Sequence, residues 1–221
     1  MLSVDIAMVQ EANPATRTLI GLSRRAYKPP NHGCGVGFAD LSEREKNIEW
    51  VGSFANGDVS ALRLIDEDLL LIGVHSQRGN SATSEQYHDA LTRCIEAIES
   101  LVSSKPTLIA GDFNFGWHIP SVRHVSQTLG KLRSMGFSDL QCDDGCYIDS
   151  EGQCRHRHEP TFTQDKRRWR TGEKRHRNDH VYGNKAVRKR VIAVAIDSEE
   201  AWDLSDHRPI LIELISADQT L

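Results

Sequence analysis

The chain contains no apolar run approaching the roughly 18 residues that a membrane-spanning helix needs. Its first residues lack the basic flank and apolar stretch of a secretion signal. A cytoplasmic protein with no membrane partner is the expectation. Cysteines number only five; an odd count rules out complete internal pairing, and a chain of 221 residues buries a core that needs no disulfide staples. Reduced thiols are therefore expected, with Cys34 and Cys94 as packing residues of a strand and a helix. Internal repeats, low-complexity tracts and linkers are also missing, which points to a single domain over residues 1–221. Charge of one sign does not dominate either: the formal total is -4, with 26% charged and 38% hydrophobic residues. Those values exclude the disordered class and argue weakly against a dedicated nucleic-acid coat, although a total conceals local asymmetry.

What is present is an alternation of strand and helix patterns. Met1 to Val9 is short and apolar and reads as a strand delivering Glu11 at its end. Cys34 to Ala39, Ile48 to Val51 and Ala61 to Ile65 read as strands of a meander, and Leu69 to Val74 is continuous enough to be buried on both faces, ending at His75. Between Ser84 and Ser103 the residues Tyr87, Leu91, Ile95, Ile98, Leu101 and Val102 recur at helical spacing. Thr107 to Ala110 is a short strand feeding Gly111-Asp112-Phe113-Asn114, and Val122 to Met135 is a second helix closed near Gly136. Residues 138–160 read as loop. Thr161 to Thr163, Val181-Tyr182, Val191 to Ile196 and Ile210 to Ile215 supply the remaining strands. This mixture predicts an α/β sandwich.

Glu11, His75, Asp112, Asn114, Asp206 and His207 all fall where strands end, the places where a rigid sheet fixes geometry and loops leave access. Carboxylate and amide oxygens suit a hard cation facing phosphoryl oxygens, and an imidazole suits the preparation of water, so the set fits phosphate-ester hydrolysis. Each residue also has a plainer reading. Glu11 would be a surface carboxylate, Asp112 and Asn114 a turn bonded to its own backbone, His75 a satisfied histidine at a sheet edge, and His207 beside Pro209 a strand entry.

Val9-Gln10-Glu11, Gly111-Asp112-Phe113-Asn114 and Ser205-Asp206-His207-Arg208-Pro209 resemble, in order, the Leu-Gln-Glu, Gly-Asp-x-Asn and Ser-Asp-His-x-Pro motifs of the endonuclease/exonuclease/phosphatase (DNase I-like) superfamily. Arg177-Asn178-Asp179-His180-Val181 resembles its Arg-x-Asp-Tyr-x strand, and Val74-His75-Ser76 the histidine strand of pancreatic-type deoxyribonucleases. The resemblance implies a four-layer α/β/β/α sandwich of two packed mixed sheets. It implies Glu11 as principal ligand of magnesium or manganese, with Asp206 completing or supporting the metal site. His207 would be the general base and Asp179 its orienting acid. Asp112 and Asn114 would position water and the scissile phosphate, and His75 would contact a non-bridging oxygen or assist the leaving group. Asp179 as a surface partner of Arg177 is the alternative.

The chain departs from that pattern at its start. The family opens with a strand carrying an asparagine well before the glutamate motif, whereas ten residues precede Glu11 here and none is Asn. An impaired site, or a partner chain supplying the strand, follows as an expectation.

Between Arg155 and Arg177 stand nine Lys or Arg against three acids. Lys166, Arg167, Arg168, Arg170, Lys174, Arg175 and Arg177 would neutralise phosphates and Trp169 would stack on a base or wedge a groove. Nucleic acid is the expected partner, DNA ahead of RNA, and a nuclease the expected activity. A solvated loop balancing the acidic remainder is the plain alternative. A phosphatase acting on a small molecule or lipid head group, and a binding module with a decayed site, are the competing functions. Cys142, Cys146, Cys154, His156 and His158 form a Cys-x3-Cys-x7-Cys-x-His-x-His cluster, read either as a structural zinc site or as free thiols in a loop.

Overall fold

A computed structural model describes residues 5–12, 35–41, 47–76, 84–114, 122–141, 161–163, 175–176, 178–197 and 206–219. The Cys142 to His158 cluster lies outside them, as do Lys166 to Lys174 and Arg177.

The centre is a six-stranded sheet made of β3 (Ile48–Phe54), β4 (Val59–Leu64), β5 (Leu69–His75), β6 (Thr107–Asp112), β10 (Asp179–Asn184) and β7 (Phe137–Asp139), in the spatial order β3-β4-β5-β6-β10-β7. Only β5 and β6 run parallel. A parallel neighbour cannot be reached by a tight turn, and the crossover is α1 (Ser84–Leu101). Its buried Leu91, Cys94, Ile95 and Ile98 repeat at helical spacing against Ile72 and Val74 of β5 and Ile109 of β6. A second helix, α2 (Val122–Ser134), adds Leu132 to the same cluster. It ends where Gly136 adopts φ +85°, a left-handed position that glycine takes without a Cβ penalty.

The opposite face of this sheet is covered by two strand pairs, β1 (Ile6–Ala12) with β2 (Gly35–Asp40) and β11 (Val191–Ile196) with β12 (Ile210–Leu214). Ile6 and Met8 of β1 pack into the same cluster as Val191, Ile210, Ile212 and Leu214, against Leu62, Leu71, Leu108 and Val181. Gly73 allows the approach: a Cβ there would stand 2.3 Å from Val36 Cγ1 and 2.8 Å from Met8 Sδ. Helices, central sheet and covering strands thus form the layers of a mixed α/β sandwich, as the sequence predicts. At the end remote from His75, Arg190 is buried and donates to Glu67 Oε2 at 2.5 Å, to Glu67 O at 2.9 Å and to Ile215 O at 2.9 Å. It ties the β11–β12 pair to the β4–β5 turn.

Several elements differ from the sequence reading. Ser138 and Asp139 are not loop but belong with Phe137 to β7, a strand of 3 residues too short to show alternation and created by pairing with Tyr182, Gly183 and Asn184. β1 continues through Glu11 to Ala12 rather than stopping at the glutamate. A single turn, α3 (Lys185–Arg188), follows β10 because Asn184 caps it, accepting from Val187 N at 3.1 Å. Phe162–Thr163 (β8) pairs with Arg175–His176 (β9). Among the described residues no helix is long and apolar enough to cross a membrane.

Candidate active site between the layers

Strand register places three polar residues side by side. His75 of β5 faces Asp112 of β6, and Asp112 faces Asp179 of β10. Alternation puts all three on the face that also carries Leu71, Leu108 and Val181, the face turned to the covering strands. They end the apolar interlayer core with a polar row, and all are buried. His75 Nε2 lies 4.0 Å from Asp112 Oδ2.

The segment after β6 is a tight bracket. Gly111 has φ +141°, and a Cβ there would lie 1.9 Å from Val74 O, so the strand preceding Asp112 fits against β5 only without a side chain. Asn114 has φ +55°; its N–H donates to Asp112 Oδ1 at 2.8 Å and its Nδ2 to Ser76 O at 2.8 Å. Asp112 thus accepts from the backbone two residues on in a tight turn, which fixes one of its oxygens.

His207 arrives from the covering layer. Its Nδ1 is 2.8 Å from Asp179 Oδ2. The next residue anchors it: Arg208 donates its backbone N–H to Thr161 O at 2.8 Å, and its guanidinium to Asp197 O. Thr161 Oγ1 also accepts the Asp179 N–H at 3.0 Å, so one threonine fixes both the acid and the approach to the imidazole. From β1, Gln10 Nε2 donates to Asp179 Oδ1 at 3.0 Å. Sequence reasoning assigned no role to Thr161 or Gln10. Gln10 carried one signal, a polar residue at the inward-facing position two after Met8.

The charges are coupled. Burial would raise the Asp179 carboxyl, yet the His207 charge and hydrogen bond, then Gln10 and Thr161, hold it below its ordinary 3.8. Burial likewise disfavours the His207 imidazolium, but Asp179, by charge and hydrogen bond, and then the charges of Asp112 and Asp206, raise it from 6.5 to about 9. A carboxylate held ionised only accepts, so the ring proton facing it sits on Nδ1.

Three carboxylates thus act on one imidazole, an excess of hard oxygen donors that fits a divalent cation. Among the described residues no three His, Cys, Asp or Glu side chains close around a common ion position. The backbone of Glu11 runs next to Gln10 in β1, while its side chain lies outside what is described. The structure therefore gathers His75, Asp112, Asn114, Asp179 and His207, with Asp206 close enough for its charge to reach His207.

A family model described as Endonuclease/Exonuclease/phosphatase family matches residues 2–207. The chain belongs to this family. No curated protein sequence matches it. Its fold is DNase I-like, and solved structures that share it include an AP endonuclease from Archaeoglobus fulgidus, 16% identical with a TM-score of 0.65, covering 95% of this chain and 88% of that one. A Neisseria 3' phosphatase, NExo, bound to product DNA hairpin, is 16% identical with a TM-score of 0.64 over 96% and 89% of the two chains. The endonuclease domain of TRAS1, a telomere-specific non-LTR retrotransposon, is 14% identical with a TM-score of 0.62 over 96% and 86%.

Proposed function

We propose that this member of the endonuclease/exonuclease/phosphatase family hydrolyses phosphodiesters of a nucleic-acid backbone, with His207 as the general base. The observation that carries the reading is the 2.8 Å bond between His207 Nδ1 and Asp179 Oδ2 at the edge of a polar row containing Asp112 and His75. Asp179 fixes the ring orientation and compensates the imidazolium as it forms. Water attacking phosphorus in line loses its proton to Nε2 of His207; the new P–O bond forms as the ester P–O bond breaks, and the leaving oxygen takes up a proton. Asp112, one oxygen held by the Asn114 N–H, orients the attacking water with the other, and His75, 4.0 Å from Asp112 Oδ2, contacts a non-bridging oxygen or assists the leaving group. Glu11 and Asp206 would hold a divalent cation, which supplies positive charge at the phosphoryl oxygens and offsets the carboxylates that raise His207.

Nucleic acid is favoured over a small phosphorylated molecule by the nine cations between Arg155 and Arg177 and by the DNA product bound to the Neisseria 3' phosphatase of the same fold. The test is turnover of supercoiled plasmid, RNA and inositol phosphates in magnesium, with Glu11→Gln and His207→Ala alongside. Plasmid cleavage lost in both variants is expected. Cleavage by either variant at the wild-type rate, with the same products, rejects the assignment, and preferred turnover of inositol phosphates rejects the nucleic-acid substrate.

A further inference from the structure

Gln10 stands where a strand facing an apolar core should carry an apolar side chain. Ile6 and Met8 of β1 pack into the interlayer cluster, and Gln10 continues their face toward the central sheet. A half-buried amide on a face directed into an apolar layer is stabilised by a bond, and this one goes to Asp179 Oδ1 at 3.0 Å, across the interlayer gap and 169 residues away in sequence. β1 is also irregular here. Val9 is opposite Gly37 and Ala12 opposite Gly35, so the bulge that takes up the extra residue contains Gln10. Bulges of this kind re-aim side chains.

We infer that Gln10 is a positioning residue for the Asp179–His207 pair: it pins one carboxylate oxygen so that the other is presented to the imidazole. This rests on the hydrolytic reading above. Asp179 Oδ2 engages His207, Thr161 holds the backbone N–H and also bonds the carboxyl group, and the Gln10 amide is the donor that reaches Oδ1 from the covering layer. Without that donor the buried carboxylate turns, and the imidazole loses its fixed direction toward the water. A hydrogen bond to a charged group is strong enough that its loss appears as a rate effect of about tenfold. Because Gln10 acts through Asp179, the effect falls on kcat and leaves KM unchanged.

The experiment compares wild type, Gln10→Met, Gln10→Glu, Asp179→Ala, the Gln10→Met/Asp179→Ala double variant and His207→Ala by steady-state kinetics, together with the downfield Nδ1–H resonance of His207 in NMR spectra. Met keeps the length without the donor, and Glu replaces the donor with a like charge. Gln10→Met is expected to lower kcat about tenfold with KM within about twofold, Gln10→Glu to lower it further, and the His207 Nδ1–H signal to shift or broaden in both. In the Asp179→Ala background Gln10→Met should change kcat less than about twofold, because the group it acts through is gone. Undiminished kcat in Gln10→Met, an unmoved His207 signal, or a full additional loss in the double variant each overturns the inference. Wild-type turnover by His207→Ala marks a failure of the hydrolytic reading itself, and Gln10 loses its catalytic role with it.

Discussion

The behaviour of His207 follows from the groups that face it. Its folded pKa of about 9 lies above the ordinary 6.5 because Asp179, Asp112 and Asp206 outweigh the effect of burial. A raised pKa contributes stability that is fully present below pH 6.5 and disappears as pH rises through 9, at most about 3 kcal/mol for a shift of this size. Asp179 has the opposite sign: its depressed value contributes above the ordinary 3.8 and is lost as acid protonates it. Urea midpoints of wild type and His207→Gln should therefore differ most near pH 6 and converge by about pH 9.5 without added metal. A constant difference would contradict the pairing. In the metal-free protein Asp206→Asn, which removes one raising charge, should lower the His207 pKa followed by NMR titration, and an unmoved midpoint would remove Asp206 from the groups that act on the imidazole.

At the scale of elements, the row His75, Asp112, Asp179 is a product of strand pairing, while the covering strands must stay docked to bring in Gln10 and His207. The docking has a polar clamp at its far end. Arg190 is buried and pairs with half-buried Glu67, whose carboxyl is held below its usual value, despite partial burial, by the Ala217 N–H, the Ser216 hydroxyl and Arg190 itself. Removing Arg190 takes away its hydrogen bonds to the Glu67 carboxylate and to the Glu67 and Ile215 carbonyls, a loss of about 1–3 kcal/mol. Arg190→Ala should accordingly lower the unfolding free energy by about that much in denaturant titrations, and Arg190→Ala/Glu67→Gln should recover part of it. A change under about 1 kcal/mol in the single variant would mean that apolar packing alone holds β11 and β12 in place. These elements also show how far sequence pattern reaches. The strand Leu69–His75 and the helix Ser84–Leu101 were legible because burial on two faces and helical periodicity leave distinct marks. The strand Phe137–Asp139 left none, because 3 residues carry no period and their state is set by the partner strand.

For the whole molecule, charge distribution matters more than its sum. The total of -4 repels a polyanion, whereas the segment from Arg155 to Arg177 concentrates nine cations in one stretch. If that stretch contacts nucleic-acid phosphates, binding measured with catalysis suppressed by His207→Ala should weaken steeply with salt. Replacing Lys166, Arg167, Arg168 and Arg170 by glutamine should flatten the log–log salt slope by about 0.9 for each phosphate that is no longer neutralised. An unchanged slope would reduce the stretch to a solvated loop.

The sequence by itself determined the α/β class, most strand and helix positions and the family, because core periodicity and short motifs such as Gly111-Asp112-Phe113-Asn114 are local marks that need no partner to be read. It also named the polar groups of the row. Tertiary structure alone decided that Asp179 and His207 bond, that Asn114 directs its amide to Ser76 O, and that Gln10 and Thr161 close around the same aspartate. Those bonds join residues up to 169 positions apart. Register and layer packing place them, and neither is written in any one stretch of the chain.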